Sequence, residues 1–203
     1  MRGASQDRRR FLIGSTNPGK LREYREMLAG LDLELVAPND LDPVPPEPTE
    51  DAQTYAENAS AKSRGYASAS GLQAIADDSG LEVYALRGAP GVRSRRFFGD
   101  DASAEERNAK LLALLDGVAD RSARFVCVTA LASPDGHVEL FEGEVQGEIA
   151  EAPRGEAGFG YDPVFVIAGD GRTMAELPSG EKHRLSHRGI AGTKLRARLA
   201  TGA

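Results

Sequence analysis

The order of short apolar runs and helix-like patterns constrains the fold of this chain more than any other feature. In the first half, apolar runs of strand length alternate with longer stretches in which apolar residues recur at helical spacing. Further along, two strand-like runs flank Ser-Pro-Asp-Gly at residues 133–136, which is typical of a hairpin turn. This order predicts an α/β fold with a mixed β-sheet flanked by helices.

The individual patterns predict the following elements. The predicted strands cover residues 10–14, 33–37, 74–76, 81–86, 124–132, 137–149 and 163–167, and the predicted helices cover residues 20–29, 54–70 and 103–115. The chain ends in a basic helical segment. In the helix at 103–115, Ser103 and Glu106 form a capping-box pattern. The buried stripe predicted for that helix consists of Leu111, Leu112, Leu114 and Leu115.

Length and composition favour one globular domain. The chain has 203 residues, of which 40% are hydrophobic and 28% are charged, so neither a disordered chain nor a coiled coil is expected. We predict a basic N-terminal extension at residues 1–9 and a single domain at residues 10–203. The only cysteine, Cys127, lies in an apolar run and is predicted to be a buried strand thiol.

The net charge and the lengths of the apolar runs limit the partners. A net charge of −6 argues against wholesale binding of polymeric nucleic acid, which needs a broadly basic face. No apolar run approaches the roughly 18 residues of a membrane span, and none has the form of a signal peptide. We therefore expect a cytoplasmic protein with no membrane partner. Arginines are nonetheless concentrated at residues 87–96, where they serve either a cleft or an interface.

The segment at residues 15–20 lies between the first strand and the first helix. Small polar residues, a glycine and Lys20 at such a junction indicate a phosphate cradle, because backbone N–H groups and the positive helix end point into the turn. From Gly14 the segment also fits part of a P-loop, but Leu21 stands where that motif needs a hydroxyl to hold magnesium. An ordinary strand-to-helix turn is the alternative.

Two further segments contain residues suited to chemistry. Asp77 and Asp78 precede Ser-Gly at a predicted strand end, and adjacent carboxylates there indicate a Mg²⁺ site that activates water, or else a plain turn. Only one of the two side chains is expected to reach a cleft, since neighbours on an extended backbone point to opposite faces. The glycine-flanked Phe159 predicts a ring laid against a flat ligand, or else an aromatic buried under a turn.

Taken together, six motifs resemble the inosine triphosphate pyrophosphatase family. They occur in the family's order and span nearly the whole chain beyond its first residues. They are Ser-Thr-Asn-Pro-Gly-Lys-Leu-Arg-Glu at 15–23, Ala-Asp-Asp-Ser-Gly-Leu at 76–81, Gly-Ala-Pro-Gly-Val-Arg-Ser at 88–94, Gly-Phe-Gly-Tyr-Asp-Pro at 158–163, Met-Ala-Glu-Leu at 174–177 and Ser-His-Arg at 186–188.

The resemblance implies both a fold and a reaction. The fold would be an elongated α/β structure with a long mixed sheet, two lobes and a central cleft, assembled as a homodimer. The reaction would hydrolyse non-canonical purine nucleoside triphosphates (ITP, dITP and XTP) with Mg²⁺ to the nucleoside monophosphate and pyrophosphate.

The resemblance also implies roles for single residues. Asp78 would be the catalytic carboxylate and a metal ligand, and Glu50 would complete the metal site, with Glu47 as its rival. Lys62 is a weaker candidate for the phosphate side. The substrate-binding residues would be Ser15, Thr16, Asn17, Pro18, Gly19, Lys20, Ser79, Phe159, Gly160, Tyr161, Asp162, Lys182, His187 and Arg188.

Two other functions stay open on the sequence. A P-loop-like kinase or phosphatase would use residues 14–20 and would transfer or release orthophosphate. A non-catalytic nucleotide-binding or RNA-binding module would use the basic C-terminal helix and would bind without turnover. The overall acidity and the 6% aromatic content speak against the second alternative.

Overall fold

A computed structural model describes residues 8–201 as six strands and five helices, with short 3₁₀ turns between them. The strands are β1 (Arg9–Ile13), β2 (Leu33–Val36), β3 (Gln73–Val83), β4 (Ser122–Ala132), β5 (Val138–Ile149) and β6 (Phe165–Ile167). The helices are α1 (Pro18–Met27), α2 (Tyr55–Ser70), α3 (Ala104–Leu114), α4 (Ser179–Leu185) and α5 (His187–Ala200). Residues 1–7 of the predicted extension lie outside the described residues, and Arg9 already pairs with Leu33.

The strands form one mixed sheet in the order β2-β1-β3-β4-β5-β6. β1 pairs in parallel with β2 and β3, whereas all the pairs from β3 to β6 are antiparallel. The β4–β5 hairpin turns at residues 133–136, where Gly136 has a φ of +90°. The predicted α/β fold with a mixed sheet is therefore confirmed.

Helices cover both faces of the sheet. On β1, Phe11 and Ile13 join an apolar cluster with Tyr24 of α1 and Leu195 of α5. Leu12, which points to the opposite face, packs with Tyr66 of α2 instead. None of the helices within residues 8–201 is long and apolar enough to cross a bilayer.

The helix ends follow local sequence signals. Asn17 caps α1, and Thr54 caps α2 by accepting a hydrogen bond from the Glu57 N–H. α2 ends at Gly71, whose φ of +71° lies in the left-handed region that favours glycine. The predicted capping box of Ser103 and Glu106 begins α3. These caps fix where the helices that carry Lys20 and Lys62 begin and end.

Two local predictions are wrong. The predicted strand end before residues 77–80 is absent, because β3 runs unbroken through them and pairs with β4 from Ala74 to Val83. That long ladder satisfies the backbone and overrides the turn-forming side chains. The predicted strand at 81–86 also ends early, since Tyr84–Leu86 is a 3₁₀ turn.

The predicted stripe of α3 is also partly wrong. Leu111 and Leu115 are fully buried, Leu112 is partly buried, and Leu114 is 49% exposed. Asn108 is buried on the same side as Leu111 and Leu115, and Leu114 falls outside that face. Cys127, in contrast, is buried as predicted, and its burial beside Asp77 raises the pKa of the thiol to about 12.

Candidate active site

A cavity of about 510 Å³ brings most of the predicted site residues together. Segments that are far apart in the chain contribute to its wall, including the turn before α1, the middle of β3 and the start of α5. The predicted residues that line it are Ser15, Thr16, Asn17, Lys20, Glu50, Asp78, Ser79, Phe159, Gly160, Tyr161, Asp162, His187 and Arg188. Pro18, Gly19 and Lys182 do not line it: Pro18 is exposed on α1, while Gly19 and Lys182 lie behind Phe159.

The turn before α1 offers side chains rather than backbone N–H groups. The Asn17 side chain accepts hydrogen bonds from the Gly19 N–H at 2.8 Å and the Lys20 N–H at 3.3 Å. The Ser15 hydroxyl accepts one from the Asn17 N–H at 3.2 Å. Those N–H groups are thus occupied, so a phosphate here would meet the hydroxyls of Ser15 and Thr16 and the ammonium of Lys20.

The turn also departs from a P-loop. Lys20 is the third residue of α1. Leu21, where the motif needs a hydroxyl, packs against the apolar cluster that contains Tyr24. The structure therefore supplies no side chain at this position to hold magnesium.

Asp78 is a cavity carboxylate held by two donors. The Asn58 side-chain amide donates to Asp78 Oδ2 and the Ser79 N–H donates to Asp78 Oδ1, each at 2.9 Å. Burial raises the pKa of Asp78, and the Asn58 hydrogen bond and the charges of Lys20 and Lys62 only partly offset it. A group with a raised pKa accepts a proton more readily than an exposed aspartate.

Asp77 points to the opposite side of β3 and does not line the cavity. Its Oδ2 lies 3.1 Å from Lys20 Nζ and accepts hydrogen bonds from Arg188 Nε at 3.1 Å and Nη2 at 3.0 Å. Burial alone would raise the pKa of Asp77, but the charges of Lys20 and Arg188 hold it well below its usual range. Only one of the two adjacent carboxylates faces the cavity, as predicted.

Lys62 reaches the same region from α2. Its ammonium is buried, donates to the Asp77 carbonyl oxygen at 3.1 Å and contacts the Glu50 carboxylate. Burial, reinforced by the neighbouring charge of Lys20, lowers the pKa of Lys62 to about 8. Glu47 also lines the cavity and accepts a 3.4 Å hydrogen bond from the Thr16 hydroxyl.

Phe159 forms another part of the cavity wall. Its ring packs directly on Gly19, where an added Cβ would lie only 2.5 Å from a ring carbon. Lys182 Nζ and Arg188 Cζ lie 5.0 Å and 5.3 Å from the ring centroid. The loop is held by Asp162 Oδ2, which accepts a 2.7 Å hydrogen bond from the Phe159 N–H. These contacts fix the position of the ring in the cavity wall.

A buried ionic network supports the Phe159 end. Lys182 Nζ contacts Glu23 Oε1 at 2.7 Å and Asp162 Oδ2 at 2.6 Å, and Arg188 Nη1 donates to Glu23 Oε2 at 2.9 Å. Burial would raise the pKa of Glu23, but the charges of Arg188 and Lys182 outweigh it and lower the pKa. Burial dominates at Asp162 and raises its pKa despite Lys182. Lys182 and Asp162 thus form a buried ion pair with each other.

Arg188 and His187 begin α5 and are both buried. Arg188 Nη2 also donates to the Ser79 hydroxyl at 2.8 Å, so four of the five guanidinium N–H groups are used, and one on Nη1 has no partner among residues 8–201. The His187 ring stacks on Phe125 with centroids 4.5 Å apart. Burial and the Arg188 charge lower the pKa of His187 well below its usual value, so the ring is neutral, and its Nδ1 has no partner among the described residues.

The structure adds site residues that the sequence did not single out. Glu23 and Asn58 hold predicted residues in place, and Arg95 and Arg107 line the cavity. Glu23 stands in the first motif three residues after Lys20, which was the only signal for it. From the arginine-rich stretch, Arg95 and Arg96 line the cavity, which favours a role in the cleft for these two residues.

Replacing Glu23 by glutamine should lower the free energy of unfolding by about 3 kcal/mol, because Lys182 and Arg188 would lose a buried charged partner. Urea denaturation measures this. Glu26→Gln on the same helix is the matched control: its pair with His183 is partly exposed and should contribute less than about 1 kcal/mol. Equal losses of unfolding free energy in the two variants would contradict the claim that the buried network stabilises the fold.

The chain is similar to several known proteins. A model described as the Ham1 family matches residues 11–198. The dITP/XTP pyrophosphatase of Deinococcus deserti is 48% identical over 189 residues, 93% of this chain and 88% of that protein. The one from a strain of Thermus thermophilus is 50% identical over 184 residues, 90% of this chain and 87% of that protein. The solved structure of a HAM1 protein from Coxiella burnetii superposes with a TM-score of 0.86 at 41% identity and covers 96% of this chain and 100% of its own.

Proposed function

The chain belongs to the Ham1 family, and on that premise we propose that it hydrolyses non-canonical purine nucleoside triphosphates to the nucleoside monophosphate and pyrophosphate. The substrates would be ITP, dITP and XTP, and the activity would cleanse the nucleotide pool. The observation that carries the proposal is that Lys20, Asp78 and Arg188 line one cavity. Its volume, about 510 Å³, falls within the roughly 300–1,000 Å³ of small-molecule sites.

In this proposal the two ends of the cavity bind different parts of the nucleotide. Lys20, Lys62 and the hydroxyls of Ser15 and Thr16 hold the phosphates. The purine stacks on Phe159, and the remaining Nη1 hydrogen of Arg188 donates to it. Asp78 lines the same cavity and accepts the proton of the attacking water. Asn58 and the Ser79 N–H fix the orientation of the Asp78 carboxylate for this transfer.

The cavity residues fit a Mg²⁺ ion. No group of three or more His, Cys, Asp or Glu side chains within residues 8–201 is placed to bind a metal. Mg²⁺ commonly takes only one or two carboxylates together with substrate phosphates and waters, and Asp78 and Glu50 supply two in one cavity. When bound there, Mg²⁺ would neutralise phosphate charge and increase the acidity of water.

Glu50→Gln should raise the Mg²⁺ concentration for half-maximal activity by about tenfold, because a neutral amide is a weaker ligand for a hard cation. Glu47→Gln is the matched control and should change it by less than about threefold. Mn²⁺ binding, followed by electron paramagnetic resonance, checks the affinity without turnover. The reverse ranking of the two variants would assign the metal ligand to Glu47.

The remaining expectations from the resemblance are part of the same proposal. The protein would work in the cytoplasm as a homodimer with two lobes around a central cleft, with residues 10–203 as its single domain. It would use no polymeric nucleic acid, which its net charge of −6 supports. Light scattering on the purified chain tests the dimer.

A product assay tests the proposed activity. The purified chain is incubated with XTP and Mg²⁺, and pyrophosphate and orthophosphate are measured separately. We expect one pyrophosphate for each XMP, with orthophosphate at background. Release of orthophosphate together with XDP would favour the P-loop-like alternative, and binding without products would favour the non-catalytic module.

A further inference from the structure

Asp77 occupies a position in the fold that the proposed reaction does not use. Its side chain is 1% exposed in the middle of β3 and does not line the cavity, so it lies beneath the wall rather than beside a substrate. Lys20 and Arg188, which both line the cavity, converge on it from α1 and α5. Asp77 is thus the point at which the phosphate end and the purine end of the cavity meet.

A single oxygen atom makes both connections. Asp77 Oδ2 lies 3.1 Å from Lys20 Nζ and accepts from Arg188 Nε and Nη2 at 3.1 Å and 3.0 Å. Lys20 Nζ also donates to the Asp77 carbonyl oxygen at 3.3 Å. Charged hydrogen bonds to a shared buried acceptor are strong and depend on each other's geometry.

These contacts leave each cation one donor for a ligand. An ammonium has three N–H groups, and Lys20 directs two of them at Asp77. Arg188 uses four of its five N–H groups on Asp77, Glu23 and Ser79. The direction of each remaining N–H is set by these bonds, and Asp77 is the partner that the two cations share. If a misplaced base displaces Arg188, Asp77 Oδ2 either moves with it or loses its hydrogen bonds to Arg188. In both cases the position of Lys20 Nζ changes, because Lys20 contacts the same oxygen.

We propose that Asp77 is a positioning residue that couples recognition of the purine by Arg188 to alignment of the phosphates by Lys20. The identity of the substrates in this inference rests on the proposed function, whereas the contacts of Asp77 are observed in the structure. It predicts that a wrong base costs turnover as well as affinity, because the phosphate lysine is displaced when the base does not fit.

The first test uses the native chain and inorganic pyrophosphate as the probe. The Arg188 Nε–H resonance is followed by NMR while pyrophosphate is added with Mg²⁺, and binding is measured by calorimetry. We expect the Arg188 signal to move with the same midpoint as binding, and to stay still in Lys20→Met at saturating pyrophosphate. Arg121 Nε–H, which donates to the Ile149 carbonyl and does not line the cavity, is the internal control and should not move.

Two results of this test would overturn the coupling. The first is pyrophosphate binding with an unmoved Arg188 signal in the native chain. The second is no binding of pyrophosphate at all, which would remove the phosphate end itself. Neither result depends on turnover, so the coupling and the proposed hydrolysis fail or survive separately.

The second test is the selectivity of Asp77→Asn, which keeps the shape and one acceptor oxygen but removes the charge. The ratio of kcat for XTP to kcat for ATP should fall by about tenfold, whereas a role in stability alone would lower both kcat values equally. An unchanged ratio in a folded variant would contradict the proposal. If the variant does not fold, the NMR test on the native chain still decides.

Discussion

Replacing Asp78 by asparagine is expected to lower kcat for XTP by about 10³-fold while the chain still folds. The loss corresponds to about 4 kcal/mol of transition-state stabilisation, within the range that a positioned general base contributes. The Asp78 carboxylate lines the cavity, and burial raises its pKa, so its ionised form is ready to take a proton. An asparagine cannot accept that proton and binds a hard cation less tightly.

Asparagine at this position also changes the local hydrogen bonds. Both oxygens of Asp78 now accept, one from Asn58 and one from the Ser79 N–H, and an amide can replace only one of these acceptors. We expect a stability cost of about 1–3 kcal/mol, which circular dichroism and urea denaturation can separate from the loss of activity.

The matched control is Asp100→Asn. Asp100 is an exposed carboxylate in the same cavity wall and is not assigned a role in the reaction. Its replacement should change kcat by less than about threefold. Steady-state kinetics of a folded Asp78→Asn chain with near-normal turnover would place the base elsewhere.

The native chain is expected to hydrolyse ITP and XTP with kcat/KM about 10⁴-fold above that for ATP. Hypoxanthine and xanthine have an oxygen at C6 that accepts a hydrogen bond, whereas adenine has an amino donor there. Arg188 has only donors, and one Nη1 hydrogen is left after its contacts to Glu23, Asp77 and Ser79. Adenine would therefore leave two donors facing each other without water, and sites of this kind discriminate by about 10⁴–10⁵.

Guanine requires a separate explanation because it shares the C6 oxygen. We expect the donor hydrogens of its 2-amino group, which hypoxanthine lacks and xanthine replaces by an oxygen, to be left unpaired where they meet the cavity wall, so that GTP is also a poor substrate. Competition assays with ITP, XTP, GTP and ATP measure all four efficiencies. Similar kcat/KM values for ITP and ATP would contradict recognition of the C6 oxygen.

A pair of variants connects this selectivity to Arg188. Arg188→Lys keeps the positive charge but loses the planar fork, and should lower the preference for ITP over ATP by at least about tenfold. Arg95→Lys makes the same change at an exposed arginine in the cavity wall, where we expect the preference to be retained. A loss of preference in both variants would indicate a general effect of charge.

The sheet was predictable where local patterns and tertiary packing agree. The hairpin at 133–136 and the capped helices follow from turn and cap residues that act over a few positions. The predicted break between two strands at residues 77–80, where Asp-Asp-Ser-Gly is typical of a turn, is absent from the structure. The pairing of these residues with Val126–Thr129 on β4 keeps them extended, and such pairing depends on residues about 50 positions away.

The site was predictable as a set of motifs but not as a network. The family resemblance identified residues such as Lys20, Asp78 and Arg188, which proved to line one cavity. It did not show that Glu23 joins Lys182, because these residues are 159 positions apart and no local pattern relates them. Nor did it show that Lys182 and Arg188 use most of their donors within the protein, which only the folded geometry reveals.

A crystal structure of the chain with Mg²⁺ and the non-hydrolysable α,β-imido analogue of ITP tests the central claim most directly. We expect the purine on the Phe159 ring with its C6 oxygen within hydrogen-bond distance of Arg188 Nη1. The phosphates should lie at Lys20, and the α-phosphorus should lie beside Asp78. A nucleotide bound outside this cavity, or bound with its phosphates at the Phe159 end, would contradict the account.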